Sequence, residues 1–526
     1  MPRPAQAPLT PNMASIQCTN SFFNPPVLPG IEVISLSAEP VSNYTLGTTI
    51  PVANHGAFTI QGENFCKVIV TYSRPGAEDG GETNIQVWLP STDRWNERIM
   101  AVGGGGWSPG GDETAFIHMA GAVSLGYASF TTDGGIGNPW VPADWALKSP
   151  GETNYDNVEN WGTRSLVDMA SAGKDIVGQF YEKPPAFSYY SGCSQGGRQG
   201  YELAQKYPEA FDGIAAAAPG ISLPKVLMSL VWPQLLLNLR GQWPRGCELD
   251  SVDAIALALC DSKDGIADGI VSDPTACDPF DPLAHVGEPA ALCPDGGVIS
   301  ETAAYIVNAT WTGMVDEAGE SIFPGQHVGT DLSNGVLLTT CDEAGTCTGV
   351  PAFLGTEWID VFGYKIPAGN FSALTLEEFY TVLRRSSEEF APYIGSSNPD
   401  LGAFKARGGK LLTIHGLIDQ LLPAGLLRQY YDDVTALDPA AKDFYRLFQV
   451  PGLGHCIGNG NPVTAFDALR AWVENGTAPA ALPVTYALDD GSTSDRIVCP
   501  YPQKVRYSAE CGDPAAAECF SCSCQV

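Results

Sequence analysis

Basic residues are scarce in this chain. Lys and Arg number 28 against 59 Asp and Glu, which gives a formal net charge of −31 at pH 7. So acidic a surface repels phosphate backbones and anionic membranes, and we expect neither nucleic acid nor a membrane as a partner. Long apolar runs are missing too, since no stretch approaches the ~18 apolar residues of a transmembrane helix.

Two further absences concern targeting and metal binding. The opening MPRPAQAPLTPNMASIQ lacks the apolar segment of about 7–15 residues that a signal peptide contains. One C-x-x-C occurs, at 519–522, without the second pair that a zinc site would need. The 15 cysteines are instead spread along the chain, which predicts disulfides formed in an oxidising compartment. Because their number is odd, at least one lacks an intrachain partner.

Four N-x-S/T sequons agree with this picture, because such sequons accept glycans in secreted proteins. We therefore expect a secreted, extracellular glycoprotein, and we interpret the sequence as a processed or recombinant form because no signal peptide is visible. The sequon residues are Asn43, Asn308, Asn370 and Asn475.

Short apolar stretches separated by turn or helix signals predict an α/β fold with a mostly parallel central sheet. A helical pattern at 165–183 leads into one of them, which gives a β-α-β arrangement. The predicted strands are KVIVTY (67–72), NIQVWL (84–89), RIMAVG (98–103), YASFTT (127–132), FSYYSG (187–192), GIAAAAP (213–219), KLLTIH (410–415) and FYRLFQV (444–450).

The regular alternation of strands fails between about residues 220 and 400, where Trp, Pro, Cys and loop residues take over. The strand pattern resumes at KLLTIH, which favours an insertion over a second domain in tandem. We predict a catalytic domain of 1–219 and 401–526, with a large lid domain of 220–400 inserted between late strands.

The segment YYSGCSQGGRQG (189–200) lies where a predicted strand gives way to a predicted helix. Gly192-Cys193-Ser194-Gln195-Gly196 fits the G-x-S-x-G pattern of a nucleophile elbow, a sharp turn that projects the serine hydroxyl above the sheet. The pattern also arises by chance in a chain with 58 glycines. Ser194 is the candidate nucleophile, provided that partners exist elsewhere.

A serine nucleophile needs an imidazole to take its proton and a carboxylate to orient that imidazole. Among only six histidines, His455 follows the last predicted strand, and Asp419 follows the strand before it. The order Ser194, Asp419, His455 is that of α/β-hydrolases. His415 competes as the base, although at a strand end a capping role is commoner. Two further carboxylates compete as the acid from an apparently helical segment: Asp432 and Asp433.

Cys193 precedes the candidate nucleophile and Cys456 follows the candidate base. If Ser194 and His455 touch, the two sulfur atoms come close together as well. We therefore predict a Cys193–Cys456 disulfide that holds the triad in place.

An ester or amide carbonyl also needs donors for its developing oxyanion. The backbone N–H of Gln195, directly after the nucleophile, is one candidate. The glycine-rich loop MAVGGGGWSPGG (100–111) supplies the second, from Gly105 or Gly106, with Gly104 also possible. A phosphate cradle is disfavoured, because no Lys-Ser/Thr follows these glycines.

The segment CDSKDGIADGIVSDPTAC (260–277) sets three carboxylates close together among glycines. Oxygen ligands in tight turns suit Ca²⁺, although a solvated acidic turn fits the spacing equally well. The candidate ligands are the carboxylates of Asp261, Asp264 and Asp268 and the carbonyls of Ile266 and Ile270, with Cys260 and Cys277 closing the loop.

The chain resembles the tannase and feruloyl esterase family of secreted α/β-hydrolases. Its CS-D-HC motif matches Cys193-Ser194, Asp419 and His455-Cys456, and SYYSGCSQGGRQGYELAQKYPEAFDGI and FYRLFQVPGLGHC extend the match. The resemblance implies a serine carboxylesterase without an organic cofactor, an α/β-hydrolase fold, a lid over the active site and structural Ca²⁺ in the 260–277 loop.

Substrate choice in this family depends on the variable lid. We expect a feruloyl esterase that releases hydroxycinnamates from plant cell-wall polysaccharide, with tannase or a mono(2-hydroxyethyl) terephthalate hydrolase as alternatives. An inactive calcium-dependent carbohydrate-binding protein is the alternative of another class, and the oligomeric state stays open. Aromatic residues that could form a slot for the acyl ring, although most are expected in the lid core, are Trp311, Trp358, Phe362, Tyr364, Phe371, Phe379 and Tyr380, with Arg384 and Arg385 as partners for a carboxylate or phenolic oxygen.

Overall fold

A computed structural model describes residues 18–76, 81–277, 279–343, 345–488 and 490–524. Residues 1–17, where we looked for a signal peptide and where the first predicted domain segment begins, lie outside the described residues. The centre of the molecule is a nine-stranded sheet. Its strands are β1 (Glu32–Tyr44), β2 (Glu63–Ser73), β3 (Thr83–Pro90), β4 (Arg98–Val102), β5 (Ala128–Thr132), β6 (Phe187–Cys193), β7 (Gly213–Ala217), β8 (Lys410–Gly416) and β9 (Tyr445–Val450).

The strands follow the spatial order β1-β2-β3-β5-β4-β6-β7-β8-β9. Pairing is antiparallel from β1 to β5 and parallel from β5 to β9. This sheet is that of an α/β-hydrolase, and all the strands predicted from the sequence take part in it. The strand that the sequence did not predict is β1. It contains Pro40 and has no buried face, so it lacks a clear apolar alternation.

Helices cover both faces of the sheet. The longer helices are α1 (Glu113–Ser124), α2 (Ser165–Tyr181), α3 (Gln195–Lys206), α4 (Leu223–Arg240), α5 (Gly246–Cys260), α6 (Glu301–Thr312), α7 (Leu376–Ile394), α8 (Gly425–Leu437) and α9 (Ala465–Asn475). Side chains of α1 and α9 share one apolar cluster, whereas α2, α3 and α8 contribute to the other. None of the helices in the described ranges is long and apolar enough to cross a membrane.

The chain leaves the sheet after Ala217 and returns to it at Lys410. Between these points lie α4 to α7 and two small antiparallel hairpins at 314–323 and 339–349. Buried side chains of this insertion belong to the same apolar cluster as α2 and α3. The insertion therefore packs on the catalytic half of the molecule rather than standing apart from it.

Fourteen of the cysteines form disulfides, and Cys524 has an exposed free thiol. The pairs are Cys18–Cys66, Cys193–Cys456, Cys247–Cys293, Cys260–Cys277, Cys341–Cys347, Cys499–Cys522 and Cys511–Cys519.

Candidate active site

Ser194 lies in the tight turn between strand β6 and helix α3. Its φ of 60° and ψ of −118° place it in a left-handed region that a residue with a side chain adopts only at a cost. Its N–H donates to the carbonyl of Ala217 on the neighbouring strand at 3.0 Å. The turn thus lifts the serine out of the regular backbone at the carboxyl end of a central strand.

The glycines after Ser194 let the elbow pack against two neighbouring backbones. The Gly196 N–H donates to the Gly104 carbonyl at 2.9 Å, and a Cβ on Gly196 would lie 2.9 Å from that oxygen. A Cβ on Gly197 would lie 2.3 Å from the Ala217 carbonyl. Side chains at these positions would push helix α3 away from the sheet and displace Ser194.

His455 and Asp419 form a direct hydrogen bond. Nδ1 of His455 lies 2.8 Å from Oδ2 of Asp419, and the main-chain N–H of His455 donates to Oε1 of Gln420 at 3.0 Å. The Asp419 side chain is fully buried, while 13% of the His455 side chain is exposed. One ring nitrogen of His455 is thereby held by the carboxylate, which leaves Nε2 for proton transfer.

The charge on Asp419 is stabilised from several sides. Its Oδ1 accepts the N–H groups of Leu421 at 2.9 Å and Leu422 at 2.8 Å. Burial raises the pKa of this carboxyl, but the charge of His455 and hydrogen bonds from His415 and His455 outweigh that effect and hold the pKa well below its ordinary value. Asp419 is therefore ionised at neutral pH.

His415, the competing base, is completely buried behind Asp419. Its Nε2 lies 2.8 Å from the Leu422 carbonyl and 3.3 Å from Oδ2 of Asp419. A carbonyl only accepts, so Nε2 carries the proton. The competing acids Asp432 and Asp433 are exposed on α8. The geometry thus pairs Asp419 with both histidines, and of these two only His455 lines the cavity that contains Ser194.

The Cys193–Cys456 disulfide links the elbow to the histidine loop across 263 residues of sequence, with Cα atoms 6.0 Å apart. The carbonyl of Cys456 also accepts the N–H of Ala53 at 2.8 Å. His55 follows in the same segment and lies 2.9 Å from the Ser191 hydroxyl on β6. The sequence analysis did not predict these contacts, because nothing in the residues around 53–55 indicates that they lie against the elbow.

Ser194 and His455 line the same cavity. Apart from Gln195, its other lining residues are apolar or glycine. They come from the catalytic half (Gly106, Trp107, Trp161), from the insertion (Gly220, Leu223, Val226, Leu227, Leu230, Leu354) and from the loop after β8 (Leu421, Leu422). Such a cavity suits an apolar or aromatic group attached to a carbonyl next to Ser194.

None of the seven lid aromatics proposed from the sequence is among these lining residues. Trp358, Phe362 and Phe379 are buried in the apolar core, and Tyr364 is exposed. Arg384 and Arg385 are exposed on α7. The sequence signal that does mark the cavity wall is the helical spacing of Leu223, Val226, Leu227 and Leu230 on α4.

The sequence predicted that the backbone N–H of Gln195 and one from Gly104, Gly105 or Gly106 stabilise an oxyanion. Gln195 is the first residue of α3, so its N–H has no acceptor within the helix. Gly106 lines the cavity, and Gly105 immediately precedes it. The N–H of Gly104 donates to Oε1 of Gln199 at 3.2 Å. Gly104 is therefore the least suited of the three loop glycines.

The acidic 260–277 loop is closed by the Cys260–Cys277 disulfide. Its carboxylates mostly accept N–H groups of the loop itself: Oδ1 of Asp261 accepts from Asp268 and Gly269 at 3.1 and 2.9 Å, and Oδ2 of Asp264 accepts from Ser272 at 2.7 Å. Asp268 pairs with Arg496. Among the described residues no three His, Cys, Asp or Glu side chains are grouped to hold a metal ion.

The loop nevertheless contains carboxylate and carbonyl oxygens, which are the ligands that a hard cation prefers. Burial raises the pKa of Asp264, so this carboxylate would gain from a neighbouring positive charge. The pairing of Asp268 with Arg496 competes with an ion for this carboxylate.

Residues 66–523 match the family model described as tannase and feruloyl esterase. The chain belongs to this family. As a member, it is a carboxylic ester hydrolase, and the family expected from the CS-D-HC motif is confirmed.

Related proteins match over nearly the whole chain. A probable feruloyl esterase from Arthroderma benhamiae is 35% identical, with 95% of this chain and 93% of the relative covered. The mono(2-hydroxyethyl) terephthalate hydrolase of Piscinibacter sakaiensis is 29% identical, with 87% and 84% covered. The solved structure of a tannin acyl hydrolase from Aspergillus niger superposes with a TM-score of 0.85 at 24% identity, covering 97% of this chain and 96% of that one. This likeness confirms the α/β-hydrolase fold.

Proposed function

We propose that this esterase hydrolyses aromatic esters with Ser194, His455 and Asp419 as its catalytic triad. The observation that carries the proposal is the shared cavity. Ser194 and His455 line it together, and the imidazole of His455 is held 2.8 Å from the buried Asp419.

The chemistry is acyl transfer to water in two steps. His455 takes the proton of the Ser194 hydroxyl as the hydroxyl attacks the ester carbonyl, and Asp419 stabilises the imidazolium that forms. The protonated imidazole then gives its proton to the departing alkoxide, which leaves an acyl group on Ser194. Water, deprotonated by His455, attacks this acyl-enzyme and releases the carboxylic acid.

The negative charge that develops on the carbonyl oxygen needs donors placed in advance. We assign this role to the N–H of Gln195 and to an N–H of Gly105 or Gly106. Gly106 lines the cavity and has a positive φ of 59°, which favours glycine.

Within this reaction class, we propose hydroxycinnamoyl esters of plant cell-wall polysaccharide as the substrates. The 35% identical relative is named a probable feruloyl esterase, and the apolar cavity suits a planar aromatic acid. Tannase activity on galloyl esters is the second candidate, favoured by the structural likeness to the tannin acyl hydrolase.

Replacing Ser194 with Ala tests the site. We expect hydrolysis of methyl ferulate to fall by several orders of magnitude, with the melting temperature nearly unchanged because the hydroxyl makes no essential packing contact. Equal turnover by wild type and Ser194→Ala would contradict the assignment. A panel of methyl ferulate, methyl gallate and mono(2-hydroxyethyl) terephthalate then ranks the substrate classes by kcat/KM.

We also propose that Ca²⁺ binds the 260–277 loop through Asp261, Asp264 and Asp268 and the carbonyls of Ile266 and Ile270. Bound there, it would join the loop's carboxylates and stabilise the fold. A ligand that binds only the folded state raises the melting temperature, so calcium should raise it in wild type after exhaustive chelation. The increase should be absent in Asp264→Asn; the same increase in both proteins would show that calcium acts elsewhere.

Secretion is the location we propose. The seven disulfides support it, because such bonds persist in oxidising compartments. The asparagines of all four sequons, Asn43, Asn308, Asn370 and Asn475, are exposed and thus accessible to a glycosyltransferase. Mass mapping of glycopeptides from the secreted protein tests each position.

A further inference from the structure

Gln195 lines the cavity, and its side chain carries a donor without an acceptor. Only 5% of this residue is exposed, and it lines the cavity beside Ser194 and His455. Its Oε1 accepts a hydrogen bond from Nε of Arg198 at 2.8 Å. Its Nε2 is buried and has no hydrogen-bond partner among the described residues.

The orientation of this carboxamide is fixed. A guanidinium only donates, so the oxygen of Gln195 must face Arg198 and the NH₂ group must face away. Arg198 itself is completely buried and held by three further contacts. It donates to the Ser396 hydroxyl at 3.0 Å and to the Gly162 carbonyl at 3.1 Å, and its guanidinium lies 4.8 Å from the centre of the Trp161 ring.

Arg198, which holds the Gln195 carboxamide, remains charged over the working pH range. Burial lowers the pKa of Arg198 only to about 10, because the nearby Glu202 carboxylate opposes the effect. Glu202 is fixed in turn by the Ser396 hydroxyl, which donates to its Oε2 at 2.7 Å. The network Glu202–Ser396–Arg198 thus holds the Gln195 carboxamide rigidly at the cavity wall.

The two indole donors that line the cavity are already engaged. Nε1 of Trp161 donates to the Trp107 carbonyl at 2.7 Å, and Nε1 of Trp107 donates to Glu357 at 2.6 Å. Buried donors in native proteins are almost always paired, and a role at a functional site is one of the explanations for an exception. The missing acceptor of Gln195 is therefore expected on the ligand.

We propose that the Gln195 side chain is a substrate-contacting group whose Nε2 donates a hydrogen bond to an oxygen of the bound ester, with Arg198 as its positioning residue. This role is separate from that of the Gln195 backbone N–H, which any substitution of the side chain leaves in place. It rests on the proposed Ser194 site.

Two substitutions separate this role from a structural one. Gln195→Met removes both the donor and the contact with Arg198, whereas Gln195→Glu keeps an oxygen for Arg198 and removes the donor. We expect kcat/KM for methyl ferulate to fall about tenfold or more in both variants, the loss of one hydrogen bond. Gln179→Met is the control, because Gln179 lies on α2, binds Asn24 and Asp175 and has no part in this network, so the substitution should change kcat/KM less than about twofold.

A comparison of two esters shows where on the substrate the acceptor oxygen lies. Methyl cinnamate lacks the ring oxygens of methyl ferulate, so a larger loss on ferulate places the acceptor on the ring and an equal loss places it on the ester group. Either result supports the proposal.

Three results would overturn it: unchanged kcat/KM in both variants, a loss in Gln195→Met that Gln195→Glu restores, or a loss in Gln195→Glu alone. Ser194→Ala is assayed alongside. Should it retain wild-type turnover, the proposed active site is wrong, whatever the Gln195 variants show.

Discussion

Asp419 is the most heavily bonded side chain of the site. It accepts two backbone N–H groups through one oxygen and contacts His455 and His415 through the other. Since the carboxylate is rigid before substrate arrives, it can orient His455 and offset the imidazolium charge without rearranging.

The substitution Asp419→Asn tests the catalytic side of this arrangement. An amide retains one acceptor oxygen but loses the charge that stabilises the imidazolium, so we expect kcat to fall by about 10³–10⁴-fold. Single-turnover measurements with methyl ferulate measure this fall in rate directly. A fall of less than about tenfold would show that another carboxylate serves His455, and Asp432→Asn on the exposed face of α8 is the control.

The same carboxyl predicts a pH dependence of stability. Its pKa is lowered in the folded protein relative to about 3.9 in the unfolded chain, so the ionised form stabilises the fold. The contribution is complete above that unfolded value and is lost as pH falls towards the folded one. The difference in melting temperature between wild type and Asp419→Asn should therefore shrink as pH is lowered from 6 to 3. A constant difference would contradict this linkage.

At this scale, motif spacing predicted Ser194, Asp419 and His455, because the chain order of the three residue types is itself a signal. The hydrogen bond between the Gln195 side chain and Arg198 was not predictable. It depends on the rotamer of Arg198 and on its packing against Trp161, and neither leaves a pattern in the sequence.

Helix α4 forms much of the wall that the insertion contributes to the cavity. Leu223, Val226, Leu227 and Leu230 face the cavity at helical spacing, while Leu239 near the end of the helix is half exposed. The same stripe in the sequence is equally typical of core packing. Only the position of α4 beside Ser194 in the structure indicates that these side chains also line the cavity.

Shortening one of these side chains should change substrate preference. In Leu227→Ala we expect kcat/KM for methyl ferulate to fall about tenfold relative to that for p-nitrophenyl acetate, whose acyl group is too small to reach the wall. The ratio is independent of how much protein is folded, which matters because Leu227 is buried. Leu239→Ala should leave the ratio unchanged, and an equal ratio in both variants would exclude α4 from acyl recognition.

Lid aromatics were the natural sequence-based candidates for this wall, since aromatic rings commonly line ligand sites. They pack on one another instead: the rings of Trp358 and Phe362 lie 4.5 Å apart, and Phe362 stacks on Trp107 at 5.5 Å. Composition and strand pattern therefore predicted an inserted segment, but not which of its side chains line the cavity with Ser194.

Across the whole molecule, the Cys193–Cys456 bond connects segments that are 263 residues apart in sequence. Chain entropy assigns such a cross-link at most roughly 5 kcal/mol of stability. The double variant Cys193→Ser/Cys456→Ser should melt at a lower temperature, and its kcat should fall by a larger factor than its KM rises, because the serine and histidine loops are no longer tied.

The hairpin disulfide Cys341–Cys347 spans only 6 residues and provides the control, for which we expect little change in kcat. In the native, unreduced enzyme, alkylation followed by mass mapping should label Cys524 alone. Labelling of Cys193 and Cys456 without reduction, or a double variant with wild-type kcat, would contradict the predicted importance of this bond.

The overall fold was largely predictable, because buried parallel strands are continuous apolar runs bounded by turns. Strand β1 was not predicted, because most of its side chains are exposed. The helices and hairpins of residues 220–400 were not predicted, because they follow no repeating topology that leaves a pattern in the sequence.

The cavity has walls of two origins: Trp107 and Trp161 belong to the part of the chain that builds the sheet, whereas the α4 stripe and Leu354 belong to the segment between β7 and β8. The proposed function therefore assigns hydrolysis and acid selectivity to separate stretches of the chain. If that assignment holds, mutations in the inserted stretch change which acid is accepted, while the strands that present Ser194 keep their register and hydrolysis is retained.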